Sequence, residues 1–396
     1  MGGKESTPVS KVGSSDISDI LNKISLLPMA LCTSLTGKAV RPFLAEVTGI
    51  SQSHLRRGKN SILRKSTEDQ ALISVNKWIM ERAEKQGWSE SEINANLQSS
   101  PSKVDDEPRP YADFIYGLQI PGKYELPLTI TFAVEVDKLV GKLSEAHRTD
   151  NLEIFKQAIL ECNWADKVFG YITNQHEAEK YVAELHAASD WSAALNALQI
   201  VCINIVYCLF AALDAEYGLI YFKRLQPLPL FLLVAPKMNP QFDIHTPIKR
   251  RGRNFVYMPI RRLLELSYAL MIWGRDKRWP DKAVGRKELG EALGLDDQYI
   301  GNFFDGTRKL NAELFDSFWG KMCQTVAKCD AFAAPLPLFL AAIYWQTWIV
   351  TDQNKKIKSF ILPDGEVYKR LWAWHHKRWA SQRNTGAVDW PAWLVS

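Results

Sequence analysis

No Cys-x-x-Cys pair occurs in these 396 residues, nor a G-x-x-x-x-G-K-[ST] loop, a G-x-S-x-G elbow or a Gly-rich dinucleotide loop. Each absence removes a class of chemistry: zinc ribbons, P-loop nucleotide hydrolysis, serine-elbow hydrolysis and dinucleotide-dependent redox work. The six cysteines are Cys32, Cys162, Cys202, Cys208, Cys323 and Cys329. The two nearest pairs are six residues apart, on different faces of any helix, so free and mostly buried thiols are expected. His176-Glu177 lacks a second histidine four positions after the first, which removes the zinc-protease pattern. No metal and no cofactor is expected.

Uninterrupted apolar runs of bilayer length are also missing. Residues 192–213 and 331–351 are free of charge or nearly so, and approach the ~20 residues a span needs. The first contains Asn196, Gln199 and Asn204, and the second Pro335, Pro337 and Gln346. Buried core helices are the expectation, not membrane spans. Residues 1–15 lack the apolar core of a secretory signal and read as a disordered tail. A cytoplasmic protein is expected.

Tryptophan, by contrast, is abundant, with 14 copies, and hydrophobic residues make up 46% of the chain. That is enough for an ample core with thick aromatic packing. The net charge of +5 conceals local clusters. Seven basic residues and one acid lie within 38–65, six basic and no acid within 245–262, and eight basic against three acidic within 353–396. Such clusters attract phosphate chains, although any one of them also suits a solvated surface.

Apolar residues Ile17, Ile20, Leu21, Ile24 and Leu27 step by three and four, and 137–213 returns to the same spacing, so helices dominate. Leu128, Ile130, Phe132, Val134 and Val136 alternate with other residues and argue for a strand, with a helix beginning inside the segment as the alternative. Pro259 opens a helix whose apolar stripe is Ile260, Leu263, Leu264, Ser267, Leu270 and Met271. Pro363-Asp364-Gly365 predicts a hairpin turn between strands at 357–362 and 366–368, ahead of a Trp-rich basic helix. The predicted fold is mainly α: a multi-domain helical protein with one or two helix-turn-helix modules and a few short strands. Its divisions are a tail at 1–15, a helical domain at 16–97 and a Pro-rich linker at 98–111. A central, mostly helical domain at 112–258 and a C-terminal region at 259–396 complete it.

Residues 284–310 read VGRKELGEALGLDDQYIGNFFDGTRKL. Leu289 and Leu293 lie four apart and point one way on a first helix. Gly290 is small where a second helix must approach, and Gly294 suits the left-handed residue that ends the first helix. Asp296 or Asp297 caps the second helix, and Ile300 with Phe303 or Phe304 anchors it. Gln298, Tyr299, Gly301 and Asn302 are left toward the exposed side, and Gln and Asn are the residues that pair with an adenine edge. Thr307, Arg308 and Lys309 follow the helix, and Arg286 and Lys287 open the first, where cations and backbone N–H groups hold phosphate.

Leu289, Gly290, Gly294, Leu295, Ile300, Phe303, Gly306 and Arg308 resemble the Cro/lambda-repressor-like (XRE-type) helix-turn-helix family, in which alanine is usual where Gly290 stands. The resemblance covers residues 284–310 and implies double-stranded DNA as partner. It further implies a regulator or a DNA-recognition component of a mobile-element or defence system. A weaker second copy is expected at 41–61, where Leu44, Ala45, Gly49, Ile50 and Leu55 share the spacing. Gln52, Ser53, Arg56, Arg57 and Lys59 would there face DNA. The basic arm Lys249, Arg250, Arg251 and Arg253 would lie along a neighbouring backbone.

One catalytic alternative exists. Arg370 and His375 have the R-x4-H spacing that resembles the HEPN ribonuclease family, a spacing that a His/Arg-rich helix also produces unaided. The neighbouring Trp372, Trp374, Trp379, Trp390 and Trp393 suit base stacking or, more commonly, a core. A third reading is a non-catalytic adaptor whose helix-turn-helix serves protein contacts only.

Overall fold

The computed structural model describes residues 17–18, 20–21, 24, 28, 40–53, 77, 80–81, 83–84, 88–104, 107–119, 125–162, 183–222, 224–235, 237–238, 255–330, 335–351, 365–379 and 388–395. They are overwhelmingly helical, and the fold is mainly α. In chain order the helices are α1 (Val40–Thr48), α2 (Glu90–Gln98), α3 (Pro101–Val104), α4 (Pro110–Gly117), α5 (Pro127–Arg148), α6 (Leu152–Leu160), α7 (Trp191–Tyr221) and α8 (Leu230–Leu233). A two-stranded antiparallel ribbon, β1 (Lys237–Met238) with β2 (Phe255–Tyr257), follows. Then come α9 (Pro259–Asp276), α10 (Arg286–Leu293), α11 (Asp297–Phe304), α12 (Ala312–Met322) with a π turn at Cys323–Ala327, α13 (Leu336–Thr351), α14 (Gly365–Trp379) and α15 (Ala392–Val395).

The long helix α7 is the axis of the core. It packs along α14 and against α5, which in turn carries α4 and α6. Helix α9 packs on α13 and leads to α10–α12. Buried residues from Ile17 to Leu394 form one continuous apolar cluster. Among the described residues, no helix is long and apolar enough to cross a membrane. The cysteines Cys162, Cys208, Cys323 and Cys329 are thiols outside any disulfide.

Three buried carboxylates organise this core. Helices α4, α5 and α8 begin at or just after a proline, and none has a local side-chain cap. Each orphaned N-terminus is instead capped by a carboxylate from a distant helix. Asp137 of α5 accepts from the Tyr111 and Ala112 N–H groups at 3.0 and 2.9 Å. Glu216 of α7 accepts from Leu128 and Thr129 N–H at 3.0 and 2.7 Å, and from the Thr129 hydroxyl. Asp214 of α7 accepts from Leu230 and Phe231 N–H, both at 2.9 Å. The partial positive charge at a helix start favours a carboxylate there. Burial nonetheless pushes the pKa of Asp137 up to about 6 and that of Asp214 to about 7, and raises Glu216.

Several expectations need correction. Residues 128–136 are not a strand but the first turns of α5. The alternation is overridden because Phe132, Val136, Leu139, Val140 and Leu143 also repeat at helical spacing and are all buried. Pro127 at the first helical position and the Glu216 cap then set the start. Residues 366–368 are likewise helical, in α14, so the predicted hairpin lacks its second strand. The expected first strand at 357–362 and the tail at 1–15 lie outside the described residues.

The segment 98–111 contains the short helix α3, tied down by tertiary bonds. The Ser102 N–H donates to Asp113 at 3.0 Å, the Ser102 hydroxyl donates to the same carboxylate, and Arg109 N–H donates to Ser102. Helix α9 starts at Pro259 as predicted and buries Ile260, Leu263, Leu264, Ser267 and Met271.

Candidate nucleic-acid interface

Helices α10 and α11 are eight residues each and joined by a tight turn. Gly294 ends α10 at φ +63° and ψ 39°, the left-handed conformation that a β-carbon disfavours. Its N–H donates to the Glu291 carbonyl at 3.2 Å, and the Leu295 N–H to Gly290 at 2.9 Å. This paired bonding is a Schellman ending. A β-carbon on Gly290 would sit 2.8 Å from the Leu295 carbonyl oxygen, so the turn closes directly over that position. Asp296 then starts α11, its carboxylate accepting from Gln298 and Tyr299 N–H at 2.7 and 3.3 Å.

One face of the pair is locked into the core. Leu289, Leu293, Ile300 and Phe303 have no exposed surface, and Phe304 is buried. Phe303 meets Phe318 of α12 edge-on, at 5.6 Å between centroids. The last carbonyls of α10 are also occupied: Lys321 Nζ donates to Leu293 at 2.8 Å and the Thr325 hydroxyl to Ala292 at 2.8 Å. At its other end, the Tyr268 hydroxyl of α9 donates to Glu288 at 3.0 Å.

The opposite face holds most of the residues expected there. Gln298 and Asn302, one turn apart, are exposed, as are Arg286, Lys287, Thr307, Arg308 and Lys309. Tyr299 is half-buried, with the Arg308 guanidinium stacked 4.0 Å over its ring. The Thr307 hydroxyl donates to the Asn302 carbonyl at 3.0 Å, and Arg308 N–H donates to the same oxygen at 2.9 Å, closing the end of α11. Gly301 departs from expectation: it is buried, because the Arg286 side chain lies across it. Within 286–309 there are four basic and five acidic residues, so this surface is not basic overall.

Sequence reasoning passed over the supports on α9. Arg261 lies 5.2 Å over the Phe304 ring and donates through Nε to Glu265 at 2.7 Å. Arg262 is buried and donates to the Trp393 and Leu394 carbonyls, both at 3.1 Å, which fastens α15 to α9. The four-residue step from Arg261 to Glu265 was the available signal.

At 41–61 the structure describes α1, the left-handed Gly49 at φ +68°, and exposed Gln52 and Ser53 in a helical conformation. Arg56, Arg57 and Lys59 lie outside the described residues, as does the arm of Lys249, Arg250, Arg251 and Arg253.

The ribonuclease alternative loses its geometry. Arg370 is exposed, whereas His375 has no exposed surface and faces Phe132, Trp374 and Trp379 with ring centroids within 5.0 Å. Burial, with the Arg378 charge nearby, pushes the His375 pKa down to about 3. A five-residue step on a helix turns the two side chains about 140° apart, and of the two only Arg370 is open to solvent. Trp372, Trp379 and Trp390 are buried, and Trp390 stacks on Trp279 at 5.4 Å. These rings are core, not a base-stacking platform. Among the described residues there is no group of three potential metal ligands.

Compared with known protein families, curated proteins and solved structures, the chain matches none.

Proposed function

We propose that this chain binds double-stranded DNA by setting α11 into the major groove, as a regulator or the DNA-recognition component of a mobile-element or defence system. The observation that carries the reading is the division of α11. Ile300 and Phe303 are fully buried, while Gln298 and Asn302, the two side chains suited to base edges, project to solvent. Lys287, Arg308 and Lys309 lie exposed around them for phosphate contact. Gel-shift selection on randomised duplexes tests this. Binding should weaken steeply between 50 and 200 mM salt, with a log–log slope of about −0.9 per phosphate neutralised. The variant with both Gln298→Ala and Asn302→Ala should keep residual binding and lose sequence preference.

A second reading is supported by the excess of acids within 286–309. In it, the module docks a basic protein and touches no nucleic acid. Absence of duplex binding at low salt would sink the first reading and leave this one.

A further inference from the structure

The recognition helix holds one acid, Asp297, and is flanked by two more, Asp296 and Asp305, on a surface that would approach phosphate. Asp297, Gly301 and Asp305 step by four residues and share one stripe of α11. The Arg286 side chain from the start of α10 crosses that stripe at Gly301. Its Nη1 would lie 2.9 Å from a β-carbon there, its Cδ 3.6 Å and its Cζ 3.9 Å. Any larger residue would occupy the place the guanidinium now takes. Arg286 is exposed to solvent, and among the described residues no ion pair is shown for it.

From this geometry we infer that Gly301 is a positioning residue: its missing side chain is the notch that holds Arg286 against α11 as a phosphate-binding cation between Asp297 and Asp305. The inference rests on the DNA reading above and specifies how that surface tolerates its own acids. Two aspartates flanking the groove-facing helix would repel the backbone. A guanidinium seated between them offsets both and presents several donors in a fixed fork. Glycine is otherwise a poor choice inside a helix, which makes the notch its evident use.

The test compares the full chain with Gly301→Ala, Arg286→Ala and the double variant, on a random-sequence duplex pool and on the duplex selected by the wild type. An alanine β-carbon meets only the far end of a long side chain, so Arg286 swings away and the helix stays folded. Gly301→Ala should melt no lower than the wild type. It should bind about ten-fold more weakly, the loss of one charge-assisted hydrogen bond, with a salt slope shallower by about one contact. In the Arg286→Ala background the same substitution should change nothing further. Wild-type-like binding by Gly301→Ala, or additive losses in the double variant, overturns the notch while leaving DNA binding in place. A wild type that binds neither duplex overturns the DNA reading and this inference together.

Discussion

The Tyr368 hydroxyl donates to Asp214 across 3.1 Å, joining α14 to the C-terminal third of α7 with both groups buried. Asp214 thereby gains a third donor beyond the two N–H groups of α8. Tyr368→Phe keeps the ring stacked on Phe231 at 4.6 Å and removes only the hydroxyl. It should cost about 1 kcal/mol in urea unfolding, the net worth of one hydrogen bond and somewhat more if the carboxylate is left under-satisfied. An unchanged midpoint would show that water replaces the hydroxyl.

Asp296 is both the cap of α11 and an acid at the tip that would enter the groove. Asp296→Ala should therefore act in opposite directions on two measurements. Thermal unfolding of the module should lose about 1 kcal/mol of stability with the cap. Low-salt affinity for duplex DNA should rise, because one repelling charge is gone. If both fall together, that tip does not approach phosphate.

Gly290 makes a narrower prediction. An alanine β-carbon here would stand 2.8 Å from a backbone carbonyl oxygen that cannot swing away. Gly290→Ala should lower stability by about 1–3 kcal/mol through forced backbone movement. Should it instead stabilise, as alanine does in an open helix, the turn is looser than described.

Stability should depend on pH through groups of opposite sign. His375 is held at about 3, below its ordinary 6.5, so its contribution is complete above pH 6.5 and drains away as pH falls toward 3. Asp137 and Asp214 stand above their ordinary 3.8, at about 6 and about 7. Their contribution is complete below 3.8 and is lost as pH rises through those values. Melting curves across this range should show His375→Phe with a weaker acid-side loss, and Asp214→Asn with a weaker loss on approaching neutrality. Parallel pH profiles for the three proteins would refute the assignment.

The helical pair α10 and α11 was legible because its determinants are local. Gly294, Asp296 and the apolar pairs Leu289–Leu293 and Ile300–Phe303 act within one turn or two, and spacing reveals them. The start of α5 was misread because its cap lies 88 residues downstream, in Glu216, and no window of sequence contains both partners. Without that cap in view, Leu128, Ile130 and Val134 read as alternation. The placing of Gly301 failed for a related reason. Its neighbour Arg286 comes from another helix, and only the crossing of α10 over α11 brings them together. His375 and Arg370 suggested chemistry by spacing alone, which carries no sign that His375 packs inside against Phe132 of α5.

The carboxylates of α7 also bear on how the chain is made. Asp214 leaves the ribosome 154 residues ahead of Tyr368, the last of its partners. Until then α7, the longest of the described helices, must carry an incompletely satisfied acid on a flank that α14 has yet to cover. The molecule's axis thus stays unsealed until α14 has been made, and force-sensing arrest sequences should register that closure only when they stall translation beyond α14.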